Sequence, residues 1–181
     1  MTETEDLTKD RATLVLSALL CVYLLLLVGV IMFKLPFYST AGDTARVINL
    51  IPLAGSFDDE GKLVWGEIAY NTLLFVPFGI YLGMLTPWTF RRQVLAIAGL
   101  SLGFELAQYF FALGVTDVTD LIDNTLGGVV GIGIATVLTK LFRTTATRIV
   151  AGLASLLTVL VVVRFGHLYY LSHIVMGNPP G

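Results

Sequence analysis

The sequence predicts an all-α, polytopic transmembrane helical bundle of about five spans, and three observations carry that prediction. First, 56% of the 181 residues are hydrophobic, only 13% are charged and the mean hydropathy is +0.84. Soluble domains usually carry roughly 25% charged residues. Second, apolar runs of about 18 residues or more recur along the chain, enough for a helix to cross a hydrocarbon core of roughly 30 Å. Lipid offers the backbone no hydrogen-bond partner, so each run must satisfy its own peptide groups as a helix. Third, the short alternating segments of an outer-membrane barrel are absent. One membrane domain over residues 1–181 is the economical organisation, with no room for a separate soluble catalytic domain.

The first span is expected over 12–33, a nearly unbroken run of Leu, Val, Ile and Ala opened by Lys9 and Arg11. The polar N-terminus followed by so long a run does not resemble a cleavable signal peptide. From Lys34 to Gly66 the chain turns polar, with Pro36, Pro52, Gly55 and the acidic group Asp58, Asp59 and Glu60. A passive loop of that length is uncommon in a compact domain, so part of it, Ala45 to Leu53, is expected to pack on the bundle. There Val47, Leu50 and Ile51 could dip into the membrane interface. The second span, 67–85, contains Pro77, which removes a backbone donor and predicts a kink or local unwinding near Leu73 to Phe75. The third span covers 93–113, the fourth 120–142 and the fifth 148–164, the last bounded by cations that can snorkel to opposite interfaces. Glycine pairs four apart, Gly79 and Gly83, Gly99 and Gly103, and Gly127 and Gly131, read as close helix packing. The single Cys21 excludes an internal disulfide.

Charge assigns a sidedness to the bundle. With the N-terminus cytoplasmic, Lys9, Arg11, Arg91, Arg92, Lys140, Arg143 and Arg148 lie inside, while Lys34, Arg46, Lys62 and Arg164 lie outside, in keeping with the positive-inside rule. Asp43, Asp58, Asp59, Glu60, Asp117, Asp120 and Asp123 then fall on the external side.

That sidedness gathers the unusual polar residues at one end. Glu105 is the sharpest signal, because a carboxylate within a span is costly and normally faces the bundle interior or a watery cavity. Gln108 shares its helix face, and Arg46 could supply a counter-charge. The plainer reading is that Glu105 and Gln108 only bond neighbouring helices. Asp120 and Asn124 are four apart and share a face; with Asp117 they could orient a water or hold a divalent cation through oxygen. Capping of the fourth helix is the alternative for Asp117 and Asp123. His167 and His173 read as interfacial tail residues. No cofactor is evident, and no basic stripe suggests nucleic acid.

Four pieces in order, RVINLIPL from Arg46, NTLLFVPFG from Asn71, ELAQ from Glu105 and TDVTDLIDNTLGG from Thr116, resemble the VanZ-like family of bacterial membrane proteins over Arg46 to Gly133. The resemblance implies a multi-pass protein of the bacterial cytoplasmic membrane connected with resistance to glycopeptide antibiotics, chiefly teicoplanin. The expected function is therefore an external-leaflet pocket in the cell envelope that handles an amphiphile, whether a lipid-linked wall precursor, a membrane lipid or a lipoglycopeptide. In that pocket Arg46 would contact an anionic head group, Asn49 and Asn71 would orient it, and Glu105, Gln108, Asp120 and Asn124 would form the polar floor, where a divalent cation could sit, with Asp117 among the ligand-binding residues. Were there a reaction, Glu105 or Asp120 would be the general base; whether the protein is an enzyme stays open. The competing classes are a small ion-coupled transporter, suggested by Glu105 and the proline-broken span, and a structural partner of other envelope proteins.

Overall fold

The computed structural model describes residues 3–32, 48–57, 60–112 and 115–170. Five helices dominate it: α1 (Glu3–Met32), α2 (Trp65–Leu85), α3 (Phe90–Phe111), α4 (Val118–Phe142) and α5 (Ala146–Tyr170). Each contains a stretch long and apolar enough to cross a membrane, the shortest being Ala146–Arg164 at 19 residues. At about 1.5 Å per residue that stretch reaches nearly the ~30 Å of a hydrocarbon core. Two short strands, β1 (Ile48–Asn49) and β2 (Thr116–Asp117), pair in parallel, Ile48 opposite Thr116 and Asn49 opposite Asp117.

Burial is arranged for lipid rather than water. Large apolar side chains cover the outside, among them Leu14, Leu25, Leu73, Leu95 and Leu141, while Gln93, Ser101, Glu105, Gln108, Asp123 and Asn124 are all buried. Polar groups inside and aliphatic groups outside is the arrangement a hydrocarbon solvent selects. The protein is a multi-pass membrane protein.

Helix direction follows from which residues meet. Positions Thr72, Val76 and Gly83 of α2 oppose Gly127, Gly131 and Ala135 of α4 in rising order, so these two helices are parallel. Between them α3 returns antiparallel to α4, with Ser101 beside Asn124 and Ile97 beside Gly128. A Cβ on Gly127 would run into the Thr72 carbonyl, one on Gly131 into the Val76 carbonyl, and one on Gly79 into the Gly128 carbonyl. Absence of side chains is what lets α2 and α4 touch backbone to backbone, where van der Waals contact takes the place of hydrophobic driving force. The pair Gly99 and Gly103 has the same spacing but faces open space, with no atom within 4 Å of an added Cβ. Among the described residues it serves no packing.

An aromatic core fills the bundle, with Phe75 edge-on to both Phe78 and Phe104 at centroid separations of 6.4 Å. Leu27 of α1 and Ile97 of α3 close around it. A second cluster joins Leu16 of α1, Tyr81 of α2, and Val150 and Ala151 of α5, which fixes α5 alongside α1. The unwinding expected around Pro77 does not occur, for α2 is helical from Trp65 to Leu85. The Tyr23 hydroxyl of α1 instead donates to the Leu74 carbonyl at 2.5 Å, three residues before the proline. Pro77 leaves the Leu73 carbonyl without its helical donor, and the Tyr23 bond falls on the adjacent carbonyl, that of Leu74.

The connections are short and each has a local cause. Thr86 leaves the helix in extended conformation before Pro87, and the buried Gln93 amide donates back to the Leu82 carbonyl at 3.3 Å. Ala112 takes a left-handed conformation, φ 54°, to end α3 and turn the chain toward β2. A 3₁₀ turn over Arg143–Thr145 links α4 to α5.

Candidate functional site

The strand pair sits where α2 and α4 begin and α3 ends, so it gathers three helix termini and the 48–57 loop at one end of the bundle. Asp117 is its centre. As the residue before α4, it accepts the Thr119 N–H on Oδ1 at 2.7 Å and so caps the helix. Its other oxygen, Oδ2, accepts the Asn49 side-chain N–H at 2.9 Å, across the strand register. Its own backbone N–H donates to Glu105 Oε2 at 2.9 Å. Capping and site membership, alternatives at the level of sequence, are both properties of this one carboxylate.

Glu105 is 4% exposed and meets β2 twice, since Thr116 Oγ1 also donates to its backbone carbonyl at 3.1 Å. The intramembrane carboxylate therefore holds the start of α4 in place. Asp120, one turn into α4, accepts the Asn71 amide of α2 at 2.6 Å. Thr119 carries the loop: its hydroxyl accepts the Leu53 N–H at 2.9 Å, and Leu53 is held at φ 65°, a left-handed conformation that a non-glycine residue adopts only when its surroundings enforce it. Gly55 comes so close to the Asn49–Asp117 pair that a Cβ there would stand 2.9 Å from Asp117 Oδ2.

These residues bound a cleft of about 220 Å³ lined by Asn49, Gly55, Ser56, Glu67, Val115, Asp117 and Asp120. Of the residues singled out from sequence, Asn49, Asp117 and Asp120 line it, while Asn71 and Glu105 act on it through Asp120 and Asp117. Gln108 and Asn124 do not line it. Gln108 donates to the Ile31 carbonyl of α1 at 3.2 Å, and Asn124 donates to Ser101 Oγ of α3 at 2.9 Å, so both tie helices together. Arg46, Asp58 and His173 lie outside the described residues. Asp123 is no cap: it is 6% exposed, and its Oδ2 has no hydrogen-bond partner. Among the described residues no three of His, Cys, Asp and Glu come together in a way that could hold a metal ion.

Glu67, which the sequence groups with the polar residues at the external end of the second span, lines the cleft, whereas Ser56, Gly55 and Thr119 are site residues that the sequence motifs did not single out. For Glu67 a signal existed, an acidic residue in the first turn of a span. Ser56, Gly55 and Thr119 offered none; Gly55 and Thr119 take their roles from Asp117 and Leu53, more than 60 positions away in each case.

The loop that forms one wall is two-sided. Asn49, Gly55 and Ser56 face the cleft, while Leu50, Ile51, Leu53 and Phe57 are exposed, as is Trp65 at the start of α2. Of the residues expected to reach the membrane interface, Leu50 and Ile51 are 74% and 68% exposed, and Val47 lies outside the described residues.

A family model described as VanZ/LLP1 matches residues 20–141. The chain is also similar to Protein VanZ of Enterococcus faecium, 33% identical over 154 residues that cover 83% of this chain and 92% of that protein. No solved structure matches it.

Proposed function

The chain belongs to the VanZ/LLP1 family, and from that membership and the cleft we propose that it works in the bacterial cytoplasmic membrane as an envelope protein. In this reading the cleft faces outward and takes the polar head of an amphiphile, and so contributes to teicoplanin-type glycopeptide resistance. The observation that carries the proposal is the polar cleft with an apolar lip. Glu67, Asp117 and Asp120 line the inside, while Leu50, Ile51, Phe57 and Trp65 point away from it. A molecule with a polar head and an acyl tail matches both surfaces at once.

Charge supports the outward orientation. Arg91 and Arg92 open α3, and Lys140, Arg143 and Arg148 flank the α4–α5 turn, all at the end opposite the cleft. Basic residues on short connections stay cytoplasmic. An impermeant maleimide applied to intact cells, with Cys21→Ser as background, is expected to label Glu60→Cys and to spare Arg143→Cys. The reverse pattern would put the cleft inside and end the proposal.

Function is tested by expression in a teicoplanin-susceptible bacterium. Protection is expected from the native chain and is expected to fall to the host's own level for Asp120→Asn, which weakens the acceptor for Asn71, at unchanged membrane abundance. Undiminished protection by Asp120→Asn together with Glu67→Gln would show that the cleft is not the site.

A further inference from the structure

The 48–57 loop has the reverse of the polarity a loop in water shows. Its polar side chains turn to the protein: Asn49 donates to Asp117, and Ser56 is buried in the cleft wall. Its large apolar side chains, Ile48, Leu50, Ile51 and Phe57, are exposed. The backbone is held in that sense at several points. Ile48 and Asn49 pair with β2, the Leu53 N–H donates to the Thr119 hydroxyl from a left-handed conformation, and the Ser56 carbonyl accepts the Val64 N–H at 2.7 Å. Hydrogen bonds and a strained residue thus keep aliphatic and aromatic groups outward. A run of exposed apolar side chains of this kind marks an interaction surface.

What covers that surface follows from where the loop is tied. One end pairs with the strand that precedes α4, and the other bonds to the residue that precedes α2, so the loop lies at the level where both spans leave the membrane. Phe57 bridges to Leu63, two residues before Trp65. Trp65, the first residue of α2, is exposed, and with Ala69 and Leu73, each four residues on and also exposed, it opens an outward row of that helix. The apolar side of the loop therefore continues the lipid-facing surface of a span past the helix end. A tryptophan stands at the junction, the residue that membrane boundaries favour. Beyond Phe57 the chain turns back to water, for Glu60 and Lys62 form an exposed ion pair across Gly61, whose φ of 75° makes the turn.

We infer that the 48–57 loop is seated in the membrane its helices cross, with Leu50, Ile51 and Phe57 in the boundary between head groups and acyl chains. Its inner side then walls the cleft while lipid holds its outer side. The inference needs only the multi-pass membrane character of the protein and stands apart from any ligand of the cleft. Tryptophan quenching of the full chain in phosphatidylcholine vesicles tests it. The chain has two tryptophans, Trp65 and Trp88. Trp88→Phe keeps the native loop and leaves Trp65 as reporter. In a Trp65→Phe, Trp88→Phe background, Leu50→Trp and Phe57→Trp report from the loop, Leu73→Trp is the lipid reference and Glu60→Trp the water reference; all four positions are exposed, so packing tolerates the change. Lipid with brominated acyl chains is expected to quench Trp65 and both loop reporters about as strongly as the Leu73 reference. Iodide is expected to quench them far less than the Glu60 reference, and their emission is expected to be blue-shifted from it. Iodide quenching of both loop reporters to the level of the Glu60 reference places the loop in water and overturns the inference. Quenching by neither agent also overturns it, because the surface would then be covered by protein, either residues 33–47 or a second copy of the chain.

Discussion

Glu105→Leu is expected to loosen the start of α4 and abolish protection, whereas Glu105→Gln is expected to retain most of both. The Glu105 carboxylate accepts the Asp117 N–H in a buried position, and Asp117 in turn caps α4 and holds Asn49. Leucine leaves that N–H without an acceptor, which costs about 1–3 kcal/mol, and lets the cleft's central residue drift. Glutamine still presents a carbonyl oxygen there, and a neutral hydrogen bond is roughly half as strong as a charge-assisted one. Thermal unfolding in detergent and the teicoplanin assay together check this. Should Glu105→Gln match the native chain in stability yet lose protection, the carboxylate would be meeting the ligand itself rather than positioning Asp117.

The largest effect on folding is expected at the glycines between α2 and α4. Gly127→Ala and Gly131→Ala drive a methyl group into the backbone carbonyls of Thr72 and Val76, which have no rotamer to escape into. The helices must part, and overpacking of this kind costs about 1–3 kcal/mol or more. A fall in Tm of roughly 5 °C or more is expected for each, with low accumulation in the membrane. Gly99→Ala, Gly103→Ala and Gly133→Ala add a Cβ with nothing within 4 Å, so they provide the controls. Alanine also has the better helix propensity, by up to ~1 kcal/mol, and these variants are expected to be at least as stable as the native chain. Similar behaviour of the two sets would mean that the α2–α4 contact is not what holds the bundle.

The contrast between those glycine pairs shows where sequence reading stops. Spacing of four places two glycines on one face, but only the fold says whether that face meets another helix. Gly127 and Gly131 do, whereas Gly99 and Gly103 do not. The same limit applies to the polar residues. Glu105, Gln108 and Asn124 stand out because polar side chains in apolar runs must turn inward, and all three are buried. Inward is not the same as into one site: Glu105 turns to Asp117, Gln108 to the end of α1, and Asn124 to Ser101. Pro77 is similar, since its missing donor is legible but the Tyr23 hydroxyl beside it comes from 54 residues earlier in the chain.

By itself the sequence determined the solvent, the five helical spans and the inward direction of the polar groups. These depend on transfer free energy and backbone hydrogen bonding, which act segment by segment. Only the tertiary structure decided that Asn49 and Asp117 meet, 68 positions apart, through two-residue strands too short for any periodicity. It alone made Thr119 the anchor of Leu53 and brought Glu67 to the cleft. Such contacts are set by how glycine-bared helices pack and where their ends then fall, and packing is a property of pairs of segments that neither segment carries alone.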